Sequence, residues 1–194
     1  MRNLQVIKIG TNSGMKNGEL DFWRIYKIGY NLAAMKDKQS TDTVLVVSGA
    51  IGMGMSVMGL EERPSDSREL QGCARVGQTK LIEGYGAILT DGFRWYEGDQ
   101  NREFGGVVCS QYLVTYHNLD NRPELRNIAD AIRYDLTQGV LPIVNYNDGI
   151  DPSEVTRDND TLAARLTKAI LAERLVILTD VDGLLDGDGE LVEQ

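Results

Sequence analysis

Val44-Leu45-Val46-Val47, running straight into Ser48-Gly49-Ala50-Ile51, reads as a strand that passes directly into a helix. Four consecutive apolar residues without polar alternation predict a strand covered on both faces, as strands of parallel sheets are. Outward from this unit the same pattern repeats. Leu4 to Ile9 alternates and breaks at Gly10, predicting a first strand and a loop. Phe22, Ile25, Ile28, Leu32 and Met35 recur at helical spacing. A helix from about Arg68 to Leu89 and a short strand at Val107 to Cys109 follow. Next come a helix over Glu124 to Thr137 with Pro123 suited to its first turn, a strand at Val140 to Val144, a helix over Thr161 to Ala172 and a strand at Leu175 to Leu178. Strands alternating with helices imply the α/β class, a three-layer α/β/α sandwich around a mostly parallel sheet. No internal repeat, low-complexity tract or break in composition divides residues 1–194, so one domain is expected, with loops at Glu61 to Ser67 and Asp91 to Gly105.

Composition removes several function classes. A net charge of −9 argues against a nucleic-acid binder, which would carry a basic stripe. No apolar run reaches the roughly 18 residues of a membrane span, and Met1 to Lys8 lacks the apolar core of a signal peptide. A cytoplasmic protein without a membrane partner is the expectation. Cys73 and Cys109 fit no metal or redox spacing and are expected as free thiols. His117, the single histidine, leaves no basis for a zinc cluster or a Ser-His-Asp triad.

The chemistry gathers where predicted strands end. Val144-Asn145-Tyr146-Asn147-Asp148 and Arg157-Asp158-Asn159-Asp160-Thr161 put carboxylates and carboxamides just past a strand or just before a helix. Carboxylates bind an ammonium and amides bind a carboxylate, so the pair of segments suits a zwitterion such as an amino acid. Lys8-Ile9-Gly10 sets a cation beside a glycine that admits close backbone approach, which suits phosphate; a solvated edge lysine is the plainer alternative. Ser48 to Gly54 offers helix-start N–H groups and a hydroxyl to an anion, or else tight helix–sheet packing through glycine. It is not a Walker loop, because no Gly-Lys-Ser/Thr ending is present, and not a dinucleotide fingerprint, because Val57 stands at the third glycine position. Thr179-Asp180-Val181-Asp182-Gly183 emerges at the carboxyl end of a predicted strand, the ligand side of such sheets, although an acidic surface turn would look the same. It is not an EF-hand, since Leu184 and Leu185 occupy ligand and glycine positions. A parallel sheet would bring these strand ends to one edge.

The ordered series of motifs resembles the amino acid kinase superfamily. It comprises Lys8-Ile9-Gly10, Val47-Ser48-Gly49-Ala50-Ile51, Gln71 through Val76-Gly77-Gln78, Pro142 to Asp148, Asp158-Asn159-Asp160 and Thr179 to Leu184. Val76-Gly77-Gln78 and the Asp-Asn-Asp triplet are most similar to the glutamate 5-kinase branch. The resemblance implies transfer of the ATP γ-phosphoryl group to the side-chain carboxylate of L-glutamate, in proline biosynthesis. It implies that Lys8 contacts the transferring phosphate and that Ser48 and Gly49 seat glutamate and phosphate. By the same carry-over, Asp148 and Asn159 bind glutamate, Asp160 holds catalytic lysine in place, and Gly10, Thr179 and Asp180 lie along the nucleotide. Mg²⁺ would arrive with ATP, held chiefly through phosphate oxygens and waters, with no metal-ligating residue assigned in this chain. Homo-oligomers are a further family expectation, as is feedback inhibition by proline, which rests on the resemblance and not on a reading of these residues.

The chain also departs from the family pattern. It stops at Gln194, ahead of a glycine-rich segment that bears a second phosphate-binding lysine, so a C-terminally truncated form of the fold is expected. Tyr146 replaces a usual glutamate, Arg157 a glycine and Ala129 an arginine, while Tyr116-His117 replace an Arg-Ala pair. These departures leave open a non-catalytic amino-acid-binding relative, or a kinase of another carboxylate or carbamate.

Overall fold

Alternating strands and helices build the sheet that the apolar runs predict. The computed structural model describes residues 3–90, 107–150, 158–180, 183 and 191. The anticipated loop at Asp91 to Gly105, and Arg157, Val181, Asp182, Leu184 and Leu185, lie outside them. The strands are β1 (Asn3–Ile9), β4 (Thr41–Val47), β5 (Cys109–Val114), β6 (Leu141–Tyr146) and β7 (Arg174–Leu178), and a hairpin adds β2 (Met15–Lys16) and β3 (Glu19–Leu20). The main sheet has the order β5-β6-β4-β1-β7 with every neighbouring pair parallel. The helices are α1 (Thr11–Gly14), α2 (Phe22–Gln39), α3 (Ala50–Met58), α4 (Ser67–Thr90), α5 (Tyr116–Asp120), α6 (Arg122–Thr137) and α7 (Asn159–Ala169).

Strand periodicity sorts the core into two layers. Ile7, Ile9, Leu45, Val47 and Ile143 pack against Ile25, Leu81, Tyr85 and Leu89 of α2 and α4. Their alternates Val6, Val44, Val46 and Val144 pack against Ile132, Leu162 and Leu166 of α6 and α7. All seven residues of β4 are buried, which is why its apolar run shows no alternation.

Helices α3 and α4 touch through glycine. A Cβ placed on Gly54 would lie 1.8 Å from the Cys73 carbonyl oxygen, and one on Gly77 would lie 1.8 Å from the Ala50 carbonyl oxygen. The anticipated glycine packing is therefore between helices, and not between helix and sheet.

Three features escape the apolar pattern. Strand β5 starts at Cys109 and runs to Val114 instead of ending at Cys109. Its polar residues conceal it: Ser110 Oγ and Tyr112 OH each donate to Asp135 Oδ2 of α6 at 2.6 Å, so this edge strand is covered by hydrogen bonds as well as apolar contact. The β2–β3 hairpin turns on Asn17 (φ 53°) and Gly18 (φ 78°), the left-handed pair that Asn-Gly supplies. Helix α5 is opened by a capping box between Thr115 and Asn118, and Asn121 then accepts from Glu124 N to cap α6.

Both cysteines are free thiols. Cys73 is fully buried, and burial pushes the Cys109 thiol up to about 11. Thiolate is the reactive form, so neither cysteine will react with a disulfide reagent at pH 8 in the native chain, and both will react in denaturant. Rapid native labelling at Cys109 would contradict this burial.

Candidate functional site

Parallel register brings the strand ends to one edge. Ile9 lies opposite both Val47 and Leu178, and Val46 lies opposite Val144. The residues that follow each strand therefore emerge side by side, on the ligand side of an α/β sheet. A cavity of about 320 Å³ opens there, and Lys8, Ser48, Gly49, Arg63, Asp148 and Asn159 line it.

Lys8 alternates onto the α6/α7 side of β1 and is 8% exposed. Its Nζ lies 2.7 Å from Asp160 Oδ1, in the first turn of α7. An ammonium so enclosed needs a counter-charge, and Asp160 supplies it while the amine still reaches the cavity wall.

At the end of β4, Gly49 adopts φ 113°, ψ 3°. A side chain is excluded twice over there: L residues rarely adopt that backbone, and a Cβ would fall 2.3 Å from Met15 Sδ of the hairpin. Gly49 O accepts from Met53 N at 2.9 Å and so begins α3, with no side chain capping the helix start. Ala50, Ile51 and Gly52 of the first turn join the cavity lining, and N–H groups at such a helix start favour an anion.

Asn159 Nδ2 donates to Val47 O at 2.9 Å, Ser48 Oγ at 2.7 Å and Asn145 Oδ1 at 3.1 Å. The donors of this amide therefore serve the protein, and Oδ1 is its remaining polar atom. Asp148 lines this cavity and also a second one of about 270 Å³, where Arg75, Gln78, Gln111 and Tyr146 contribute. Arg75 Nη1 donates to Gly149 O at 2.8 Å and ties α4 to the loop that carries Asp148. Tyr146 is 2% exposed and packs into the α6/α7 layer.

Gly10, Thr179 and Asp180 stand at the same sheet edge but outside the residues lining the principal cavity. Gly10 N donates to Leu178 O at 3.1 Å, joining the two loops. Asn12 Nδ2 donates to Asp180 Oδ2 at 2.8 Å, and Arg24 Nη1 holds Asn12 O at 2.8 Å. The Asn12 bond, a backbone hydrogen bond and the charge of Lys8 hold the Asp180 carboxyl below its ordinary value. A depressed carboxyl stabilises the folded state above its unfolded pKa and loses that contribution as pH falls through the folded value. Asn12→Ala will therefore raise the Asp180 pKa, which carbon NMR titration of its carboxyl can follow; an unchanged titration would contradict the pairing.

Among the described residues, no group of three or more His, Cys, Asp or Glu side chains could hold a metal ion. No helix among them is long and apolar enough to cross a membrane. Sequence reading gave no role to Arg63, Arg75, Gln78 or Asn145. Arg75, Gln78 and Asn145 lay within motifs already noted; Arg63 stood in an anticipated loop and carried no signal, because only the folding of α3 and α4 brings it to the cavity.

The profile described as "Amino acid kinase family" matches residues 3–194. The chain belongs to that family. A glutamate 5-kinase of Prochlorococcus marinus is 35% identical over 187 residues, covering 96% of this chain and 48% of that protein. The Streptococcus suis glutamate 5-kinase is 38% identical, covering 92% of this chain and 47% of its own length. For the Clostridium acetobutylicum glutamate 5-kinase the figures are 35%, 96% and 65%. This family member thus spans about half to two thirds of the length of those relatives. A solved structure of Giardia carbamate kinase superposes with a TM-score of 0.58 at 15% identity, covering 92% of this chain and 74% of that one. At that identity the likeness speaks for the amino acid kinase fold.

Proposed function

We propose that this amino acid kinase family member transfers the γ-phosphoryl group of ATP to the side-chain carboxylate of L-glutamate, giving glutamyl 5-phosphate and ADP. One observation carries the reading. A single cavity at the carboxyl edge of the sheet holds a buried cation, a helix start with its N–H groups, a serine hydroxyl and a separate carboxylate. Phosphoryl transfer between two anions needs the first three, and an α-ammonium needs the fourth. Similarity to glutamate 5-kinases supports the choice of acceptor.

In this reading Asp148 binds the substrate ammonium, with Asn159 Oδ1 as an additional acceptor. Ser48 and the Gly49 backbone seat the reacting carboxylate and the phosphoryl group beside Lys8. The nucleophile is a carboxylate already ionised near pH 7, so no general base is required. One oxygen–phosphorus bond forms as the bond to ADP breaks, and no proton moves. Asp160 keeps the Lys8 ammonium directed to that point, while Gly10, Thr179 and Asp180 border the nucleotide. Mg²⁺, carried in with ATP, would supply further charge neutralisation on phosphate oxygens.

The test is glutamate-dependent ADP release in the presence of hydroxylamine, which traps an acyl phosphate as its hydroxamate. Asp148→Asn removes the counter-charge of the ammonium, and the glutamate KM is expected to rise roughly tenfold or more. Hydroxamate formation that is independent of glutamate, or untouched by Asp148→Asn, would overturn the assignment.

A further inference from the structure

Four side chains from separate parts of the fold form one hydrogen-bonded chain beneath the cavity. Gln78 Oε1 of α4 accepts from Asn145 Nδ2 of β6 at 2.8 Å. Asn145 Oδ1 accepts from the Tyr146 backbone N–H at 2.9 Å and from Asn159 Nδ2 at 3.1 Å. Asn159 Nδ2 also reaches Val47 O and Ser48 Oγ. Asn145 is 2% exposed, so a mismatch at its amide could not be repaired by water.

The two ends of a carboxamide have the same shape, so its orientation is dictated by neighbours that can play only one role. Two backbone groups do that here. The Tyr146 N–H can only donate, which makes Oδ1 the inner atom of Asn145 and turns its amino group to Gln78. The Val47 carbonyl can only accept, which makes Nδ2 the inner atom of Asn159. The polarity then runs through the chain. Gln78 must present oxygen, and Ser48 Oγ must accept from Asn159, so the Ser48 proton is left for the cavity.

We infer that Gln78 and Asn145 are positioning residues, which hold Ser48 as a donor and Asn159 Oδ1 as an acceptor toward the bound substrate. The inference rests on the glutamate kinase reading for the identity of that substrate. Gln78 stands outside the principal cavity, and Asn145 meets its wall while 2% exposed; both act on the site through Asn159. Gln78 is held in place by its neighbour Gly77, which seats α4 on α3.

The assigned polarity makes a distinction that bulk alone would not. Gln78→Glu keeps an accepting oxygen for Asn145 Nδ2, whereas Gln78→Met keeps the length and removes it. Calorimetric titration with L-glutamate should find Gln78→Glu within about threefold of the parent chain and Gln78→Met weaker by about tenfold or more, with matching melting curves. A ligand-free reading accompanies it. The Asn159 side-chain amide signals in nitrogen–proton NMR should move in Gln78→Met and stay in Gln78→Glu.

If Gln78→Met does not fold, the pair Gln78→Glu and Asn145→Asp decides. Each single change leaves one donor at that contact, and the double variant sets carboxyl against carboxyl. Its loss should therefore exceed the product of the single losses. Unmoved Asn159 signals in Gln78→Met, equal behaviour of the Glu and Met variants, or simple multiplicativity in the double variant would overturn the inference. Failure of the parent chain to bind glutamate while the amide signals respond as expected would instead refute the substrate, leaving the hydrogen-bond polarity in place.

Discussion

Gly77→Ala will lose about 3 kcal/mol or more of folding stability, the severe end of overpacking. The added Cβ would sit 1.8 Å from Ala50 O and 2.4 Å from Gly54 N, and both are backbone atoms that no rotamer change can move. Relief requires α3 and α4 to separate, and Ala50 opens α3 immediately beyond the Ser48-Gly49 turn of the site. The lesion should therefore also loosen glutamate binding in whatever fraction stays folded. Helix α4 supplies its own control. A Cβ on Gly86 meets nothing within 4 Å, so Gly86→Ala should gain up to about 1 kcal/mol from helix propensity. Urea unfolding measures both; equal midpoints for the two variants would contradict the helix contact.

Lys8→Met will reduce glutamate-dependent ADP release by roughly 10²-fold or more, the usual effect of removing one donor to developing charge in a site without a general base. The loss should fall mainly on kcat, because in the proposed mechanism the ammonium acts on the transferring phosphoryl group while Asp148 holds the amino acid. Unfolding would not account for it. The Asp160 side chain is 41% exposed and can turn to water when its partner is gone, so the melting temperature should change little. A Lys8→Met chain that retains most of its rate would remove Lys8 from the mechanism.

Much of the fold could be read from apolar runs, because β4 and β6 are buried from end to end and show no alternation. Strand β5 escaped that reading because its inward polar groups are answered by Asp135, a partner 25 residues away for Ser110. The Asn17-Gly18 turn and the Thr115-to-Asn118 box also escaped, because such short elements lack the periodicity by which longer ones announce themselves. The site divides along the same line. Lys8, Ser48, Gly49, Asp148 and Asn159 stand next to strand ends and helix starts, so parallel pairing sufficed to gather them. Gln78 lies mid-helix, and its role depends on how α3 and α4 cross. Sequence reading likewise took the amides as ligands for a carboxylate. Only the hydrogen bonds show that the Asn159 donors face Val47, Ser48 and Asn145.

The central claim is that L-glutamate binds in the carboxyl-edge cavity with its ammonium at Asp148. Backbone NMR of the chain titrated with L-glutamate tests it most directly. Saturable shifts at Gly49, Asp148 and Asn159, absent in Asp148→Asn, are the predicted result. No saturable shift, or shifts centred on the opposite edge of the sheet, where Lys36, Thr41, Gly139 and Leu141 line a separate pocket, would contradict it.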